Sequence, residues 1–174
     1  FAPGMLRGVF RNKKRYKETY WSKFKDKYDT SDGAFMDKEG NIRLVGRVDD
    51  VIKVAGHRLS TAEMENVLDE DKYVNESAVV PVKDKIRGEV PVAFVVLESG
   101  MPGEELKKKL IQDVRKMIGP IASIKEIYFV DDLPKTRSGK IMRRILKGLL
   151  AGEDIINTTT LVNPESVKKI KEKL

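Results

Sequence analysis

Eight consecutive apolar residues, VPVAFVVL from Val90 to Leu97, do most to limit what this chain can fold into. The run is far too short to cross a bilayer as a helix, which needs about 20 residues, and it reads as a buried strand. The sequence on either side supplies its partners. NIRLVGRVDDVIKV offers two short strands, Ile42 to Val45 and Val51 to Val54, separated by Asp49 and Asp50. STAEMENVLDE predicts a short helix, with Ser60 and Glu63 spaced as a capping box and Met64, Val67 and Leu68 on one face. Another strand, Glu76 to Val82, reaches Val90 through the polar turn KDKIRGE. A second helix is expected from about Gly103 to Met117 on the stripe Leu106, Leu110, Val114 and Met117, ended by Gly119 and Pro120. A strand near Ile124 to Val130 and a helix near Gly139 to Leu150 complete the pattern. The tail from Thr158 reads as a polar linker and a short amphipathic helix, with Asn163 as cap and Pro164 at the first helical position. The order predicts a compact α/β (α+β) unit over residues 51–150, with a short β-hairpin, a three-stranded sheet and packed helices.

Composition narrows the chemistry. Apolar residues are 40% and charged residues 35% of the 174, a balance that suits a globular protein. With no cysteine, disulfides, thiolate metal sites and cysteine nucleophiles are excluded, and with His57 as the single histidine a histidine zinc cluster or a Ser-His-Asp triad is disfavoured. No targeting segment is recognisable, and a reducing, cytoplasmic setting without a membrane is expected. The net charge is +7, and residues 1–28 carry nine Lys or Arg against Glu18 and Asp26, so that segment alone accounts for the excess. Its aromatic residues Tyr16, Tyr20, Trp21 and Phe24 recur at helical spacing, which favours packing over base stacking.

A second concentration of charge lies in LPKTRSGKIMRR, Leu133 to Arg144, where five cations surround Gly139. A phosphate-binding P-loop is excluded, because Pro134 and Ile141 stand where that motif requires Gly and Ser or Thr. Nucleic acid is disfavoured by the lack of aromatic stacking partners. Arg143, Arg144 and Lys147 read as a solvated cationic helix face. Lys140 reads differently: Pro134 stiffens the entry, Gly139 permits a tight path, and the start of the following helix directs the lysine toward a partner anion.

LPKTRSGKIMRRIL resembles the C-terminal signature of AMP-forming acetyl-CoA synthetases in the adenylate-forming superfamily. GRVDDVIKVAGHRLSTAEME resembles that family's hinge and the loop after it, and YDTSDGA the end of its large domain. VRKMIGPIAS and the opening FAPGMLRGVF…YKETYWSKF fit as well, so the resemblance covers essentially the whole chain in register. It implies roughly the last quarter of a longer enzyme. Residues 1–46 would close the large N-terminal domain, 47–50 would be the hinge with Asp49 as pivot, 51–150 the mobile C-terminal domain, and 151–174 the tail. The expected activity joins acetate and ATP into acetyl-adenylate and pyrophosphate, then forms acetyl-CoA and AMP. Propionate is the alternative substrate, and a stand-alone interaction or regulatory module the rival from another class.

By the same resemblance Asp32 would accept hydrogen bonds from the ATP ribose, with Ser31 standing where the family often has glycine. Arg47 and Arg58 would contact the nucleotide. Lys140 would orient acetate and the α-phosphate, and its acylation by a lysine acyltransferase, reversed by a deacylase, would switch the enzyme off. Ala55 and Gly56 would lie at the pantetheine tunnel of coenzyme A and Arg115 on a coenzyme A phosphate, while His57 would be structural. Some relatives hold a cation just past the first helix of this domain; the positions here are Asp69, Asp71 and Val74, with Asp71 in place of a histidine. Mg2+ is expected with ATP.

Overall fold

The computed structural model describes residues 4–100, 102–155 and 158–174, apart from the side chains of Val45 and Asp49. The chain divides into two compact units, Phe1–Asp49 and Asp50–Leu174.

In the first unit, helix α1 (Lys13–Tyr20) is capped by Asn12, whose side chain accepts from the N–H of Arg15. The apolar stripe of α1 is spent locally. Tyr20 stacks on Tyr28 at 5.1 Å between ring centroids, and Trp21 meets Tyr28 edge-on at 5.5 Å. Tyr28, not Phe24, closes this cluster, since α1 stops before a fourth aromatic can continue the stripe and Phe24 is left half exposed beneath Lys23. An antiparallel hairpin follows, β1 (Asp32–Met36) and β2 (Ile42–Arg47). Its turn is held by Asp37, whose carboxylate accepts from both nitrogens of Asn41.

The second unit begins with a hairpin of β3 (Val51–Val54) and β4 (His57–Ser60), joined by the two-residue turn Ala55–Gly56. Both turn residues have positive φ, +46° and +85°, as the tight hairpin turn that follows strand twist requires. Helix α2 (Thr61–Asp69) starts under the cap of Ser60, which accepts from the N–H of Glu63 at 3.4 Å. Then come β5 (Val74–Asp84), β6 (Gly88–Leu97), α3 (Glu104–Ile118), β7 (Glu126–Val130), α4 (Arg143–Leu150) and α5 (Glu165–Lys173). Strand β6, which contains the apolar run, is central: antiparallel to β5, parallel to β7, and joined to the β3–β4 hairpin through the pair Val54 and Gly88. The parallel β6–β7 neighbours need a crossover, and α3 provides it.

The apolar run is continuous because both faces of β6 are covered. Ala93 and Val95 point toward α2, α3 and the β3–β4 hairpin, joining Ile52, Leu68, Leu110 and Val114. Val92, Phe94 and Val96 point the other way, toward Leu133, Ile145, Leu146, Val167 and Ile170 of α4, α5 and the loop between β7 and α4. The stripe of α3 departs from expectation at its end, since Met117 is exposed and Ile118 packs instead. Among the described residues no helix is long and apolar enough to cross a membrane.

Candidate functional site

The segment that carries Lys140 is a hairpin rather than a helix start. The N–H of Gly139 donates to the Thr136 carbonyl at 2.9 Å, and the N–H of Thr136 donates to the Lys140 carbonyl at 2.9 Å. Lys135 and Ile141 pair as a single antiparallel bridge. Gly139, at φ +78°, supplies the left-handed residue that closes a three-residue hairpin loop. The Thr136 hydroxyl also takes the N–H of Lys140 at 3.2 Å, an alternative to helical bonding. The expected helix from Gly139 therefore begins at Arg143, and Lys140 is exposed on the outgoing leg of the hairpin.

Three of the five cations in this stretch, Arg137, Lys140 and Arg144, stand exposed, but Arg143 and Lys135 are tied down. Arg143 is not part of a solvated face: its Nε and Nη2 donate to Glu65 Oε1 and Oε2 at 2.9 and 2.6 Å. Arg144 and Lys147 remain outward on α4. Lys135 meets Glu76 at 2.5 Å and Asp132 at 3.3 Å, contacts that hold its ammonium above its usual pKa.

The tail is likewise more than a linker. Leu161 bridges to Thr136, the N–H of Val162 donates to the Lys135 carbonyl at 2.9 Å, and Val167 and Ile170 of α5 are buried. Asn163 does not cap α5 with its side chain. Buried, it accepts from the N–H of Lys135 and donates to the Leu133 carbonyl and the Asp132 carboxylate.

The coenzyme A candidates sit on other elements. Ala55 and Gly56 form the exposed tip of the β3–β4 hairpin, and Arg115 is exposed on the last turn of α3. Open space surrounds Gly56, where an added Cβ would meet nothing within 4 Å, so its glycine is demanded by φ rather than by crowding within this chain. Arg58 is exposed on β4 opposite Lys53, and His57 is exposed at the start of that strand.

In the first unit Asp32 and Arg47 are cross-strand partners at the end of the β1–β2 hairpin. Ser31, at φ +61°, adopts the left-handed conformation that glycine favours. Its N–H is held by the Asp29 side chain at 2.9 Å, a bond that draws the Asp29 carboxyl below its usual range, and its carbonyl accepts from the N–H of Val48. The backbone of Asp49 lies in a 3-10 turn, Val48–Asp50, at the division between the units; its side chain is outside the described residues.

The candidate cation positions do not converge. Asp71 faces the Lys109 ammonium and accepts from the N–H of Tyr73 at 2.9 Å. Asp69 turns toward Ser77, where desolvation, together with Glu65 and Glu76, pushes its carboxyl up. Val74 packs in the core.

The AMP-binding enzyme C-terminal domain family matches residues 63–140, from the first turn of α2 to Lys140 itself. Residues 63–140 of the chain belong to that family. The acetyl-coenzyme A synthetase of Pyrobaculum aerophilum is 52% identical over 170 residues, 97% of this chain and 25% of that protein. The acetyl-coenzyme A synthetase of Rubrobacter xylanophilus is 50% identical over 174 residues, 99% of this chain and 27% of that protein. The chain thus spans about a quarter of the length of the curated relatives it matches. Among solved structures, an acyl-CoA synthetase of Brucella canis is 40% identical with a TM-score of 0.58, over 71% of this chain and 23% of that one.

In the second unit, sequence reasoning passed over Glu65, Glu76 and Asp132 and read Asn163 as a helix cap. A signal existed for Glu65. It falls on the buried face of α2 with Thr61, Met64 and Leu68, and a carboxylate at such a position requires a partner. For Asn163 no local pattern distinguished a loop clamp from a helix cap.

Proposed function

We propose that this chain serves as the C-terminal part of an AMP-forming acetyl-CoA synthetase, with Lys140 acting in adenylation and Ala55, Gly56 and Arg115 in thioester formation. The observation that carries this reading is the two-layered second unit. Leu133, Ile141 and Met142, at the base of the Lys140 hairpin, pack with α4 and α5 on one side of the sheet, and α3, which carries Arg115, packs with α2 on the other, while the Ala55–Gly56 turn joins β3 and β4 of the sheet itself. A domain that turns about Asp49 would then offer one side to ATP and acetate and the other to coenzyme A.

In the first half-reaction the Lys140 ammonium stabilises negative charge on the acetate and α-phosphate as the adenylate forms and pyrophosphate leaves. Asp32 accepts from the ribose hydroxyls, a role suited to an acceptor-only carboxylate, while Arg47 and Arg58 supply planar donor forks to the nucleotide. In the second, the thiol of coenzyme A displaces AMP from the acetyl carbon, with Gly56 beside the pantetheine and Arg115 on a phosphate. Mg2+ enters as the companion of the ATP phosphates; among the described residues no three His, Cys, Asp or Glu side chains converge to hold a metal. Acylation of Lys140 removes the charge this scheme needs and stops adenylation. A cytoplasmic setting belongs to the same reading.

The test is acetate-dependent exchange of labelled pyrophosphate into ATP by the full-length polypeptide that carries this sequence, with propionate alongside. Lys140→Ala is expected to lower exchange by on the order of 10²- to 10³-fold, and to retain most thioester formation from supplied acetyl-adenylate. Equal loss of both halves would refute the assignment of Lys140, and faster exchange with propionate would move the substrate.

A further inference from the structure

The hairpin of Lys140 is fastened at both legs to the same strand edge. Strand β5 ends the sheet, with β6 as its only strand partner among the described residues. The outward N–H of Val79 is taken by Glu65 Oε1 at 2.7 Å, so a carboxylate from α2 occupies the place of a missing neighbouring strand. Arg143 then closes on that carboxylate with two donors from the first residue of α4. The Glu65 side chain is 7% exposed, and without Arg143 its charge would stand unpaired in a desolvated position. Near the start of the same strand, Glu76 holds Lys135. Lys135 pairs with Ile141 across the base of the hairpin, and the N–H of Met142 donates to the Pro134 carbonyl at 2.8 Å. Both legs are therefore fixed, while Arg137 to Lys140 project into solvent.

We propose that Glu65 and Glu76 are positioning residues for Lys140, holding its hairpin to the β5 edge through Arg143 and Lys135. This rests on the adenylation role given above. A lysine has a long flexible stem, so the part of its reach that the fold controls is the placement of its own backbone. An ion pair at each leg fixes that placement. Arg143 is suited to its leg because a bidentate pair constrains direction as well as distance, which an ammonium at the same position would not. Lys135, on the other leg, is shared between Glu76 and Asp132 and needs only a point charge.

Two variants of the full-length polypeptide test this: Arg143→Lys, which keeps the charge and loses the fork, and Lys135→Met, at a quarter-exposed pair whose loss spares the buried core. The first readout is hydrogen exchange. The amides of Thr136, Gly139 and Lys140 are expected to exchange at least about tenfold faster in either variant, while those of Val92 to Val96 keep their protection. The second is the division between half-reactions: kcat for pyrophosphate exchange falls by on the order of 10²-fold, the loss a misplacement near 1 Å can cause, with KM for ATP and thioester formation from acetyl-adenylate little changed. Hairpin amides that exchange at wild-type rates, or half-reactions that fall together, overturn the proposal. If wild-type protein shows no pyrophosphate exchange, the adenylation reading fails, and hydrogen exchange alone still decides whether these pairs hold the hairpin.

Discussion

Asn163 Oδ1 accepts the backbone N–H of Lys135 at 3.0 Å, which places a residue of the tail in direct control of the strand entering the Lys140 hairpin. The same side chain donates to the Leu133 carbonyl at 2.7 Å and the Asp132 carboxylate at 2.6 Å. Asn163→Ala leaves the part-buried N–H of Lys135 and the buried Leu133 carbonyl unmatched, so a loss of about 1–3 kcal/mol in urea unfolding is expected. Asn163→Asp keeps the acceptor for Lys135 but sets a second carboxylate against Asp132, and its deficit should shrink in acid as the pair takes up a proton.

Acid should also release α5. Lys173, by hydrogen bond and charge, holds the Asp131 carboxyl below its ordinary value. Desolvation pushes Asp132 up, but bonds from Asn163, Lys135 and the N–H of Leu133 outweigh it and leave that carboxyl lowered as well. Both groups bind protons more weakly folded than unfolded, so their contribution is complete above the ordinary carboxylate range and disappears as pH falls through and below it. Amides of Glu165 to Lys173 should lose protection below about pH 4, before those of β6. Asp132→Asn should flatten that dependence, and an unchanged profile in the variant would show that other groups govern it.

What sequence disclosed, and what it withheld, follows from the range of the forces involved. The alternation hidden in VPVAFVVL, the stripe of α3 and the cap at Ser60 are local, and each matches its element to within a few residues. Strand β4 and strand β1 were not foreseen. One is four residues long with two exposed side chains before Leu59, and the other opens on Asp32 and Gly33 with most of its length exposed. The helix expected at Gly139 failed because the competing bonds come from Thr136, four residues away, and from the tail beyond. Lys140 was legible as a motif. Its supports were not, since Glu65 and Glu76 lie 78 and 59 residues from Arg143 and Lys135.

The turn of the β3–β4 hairpin separates stability from proposed function. Ala55 sits at φ +46° and Gly56 at +85°. A Cβ in the left-handed region costs roughly 1–2 kcal/mol. Ala55→Gly removes that strain and should raise the melting temperature; Gly56→Ala adds it and should lower it. On the reading proposed here Gly56→Ala also slows thioester formation more than adenylation. If it slowed both in parallel, the turn would matter only for folding.

The carboxylate of Asp71 is 4% exposed and its charge is met by Lys109, which is 56% exposed. Burial alone would raise the Asp71 pKa, yet bonds from Lys109 and the N–H of Tyr73 bring it below the ordinary value. Lys109→Met removes the main opposing charge, so desolvation should prevail and the sign should reverse. Wild-type protein gains stability from Asp71 at neutral pH and loses it in acid; the variant should be weaker by about 1 kcal/mol at neutral pH, a modest figure because Lys109 is solvated. The difference should close as pH falls through the raised pKa and Asp71 is protonated. Melting temperatures of the two proteins from pH 7 to pH 3 measure this, and parallel curves would show that Lys109 contributes nothing to the state of Asp71.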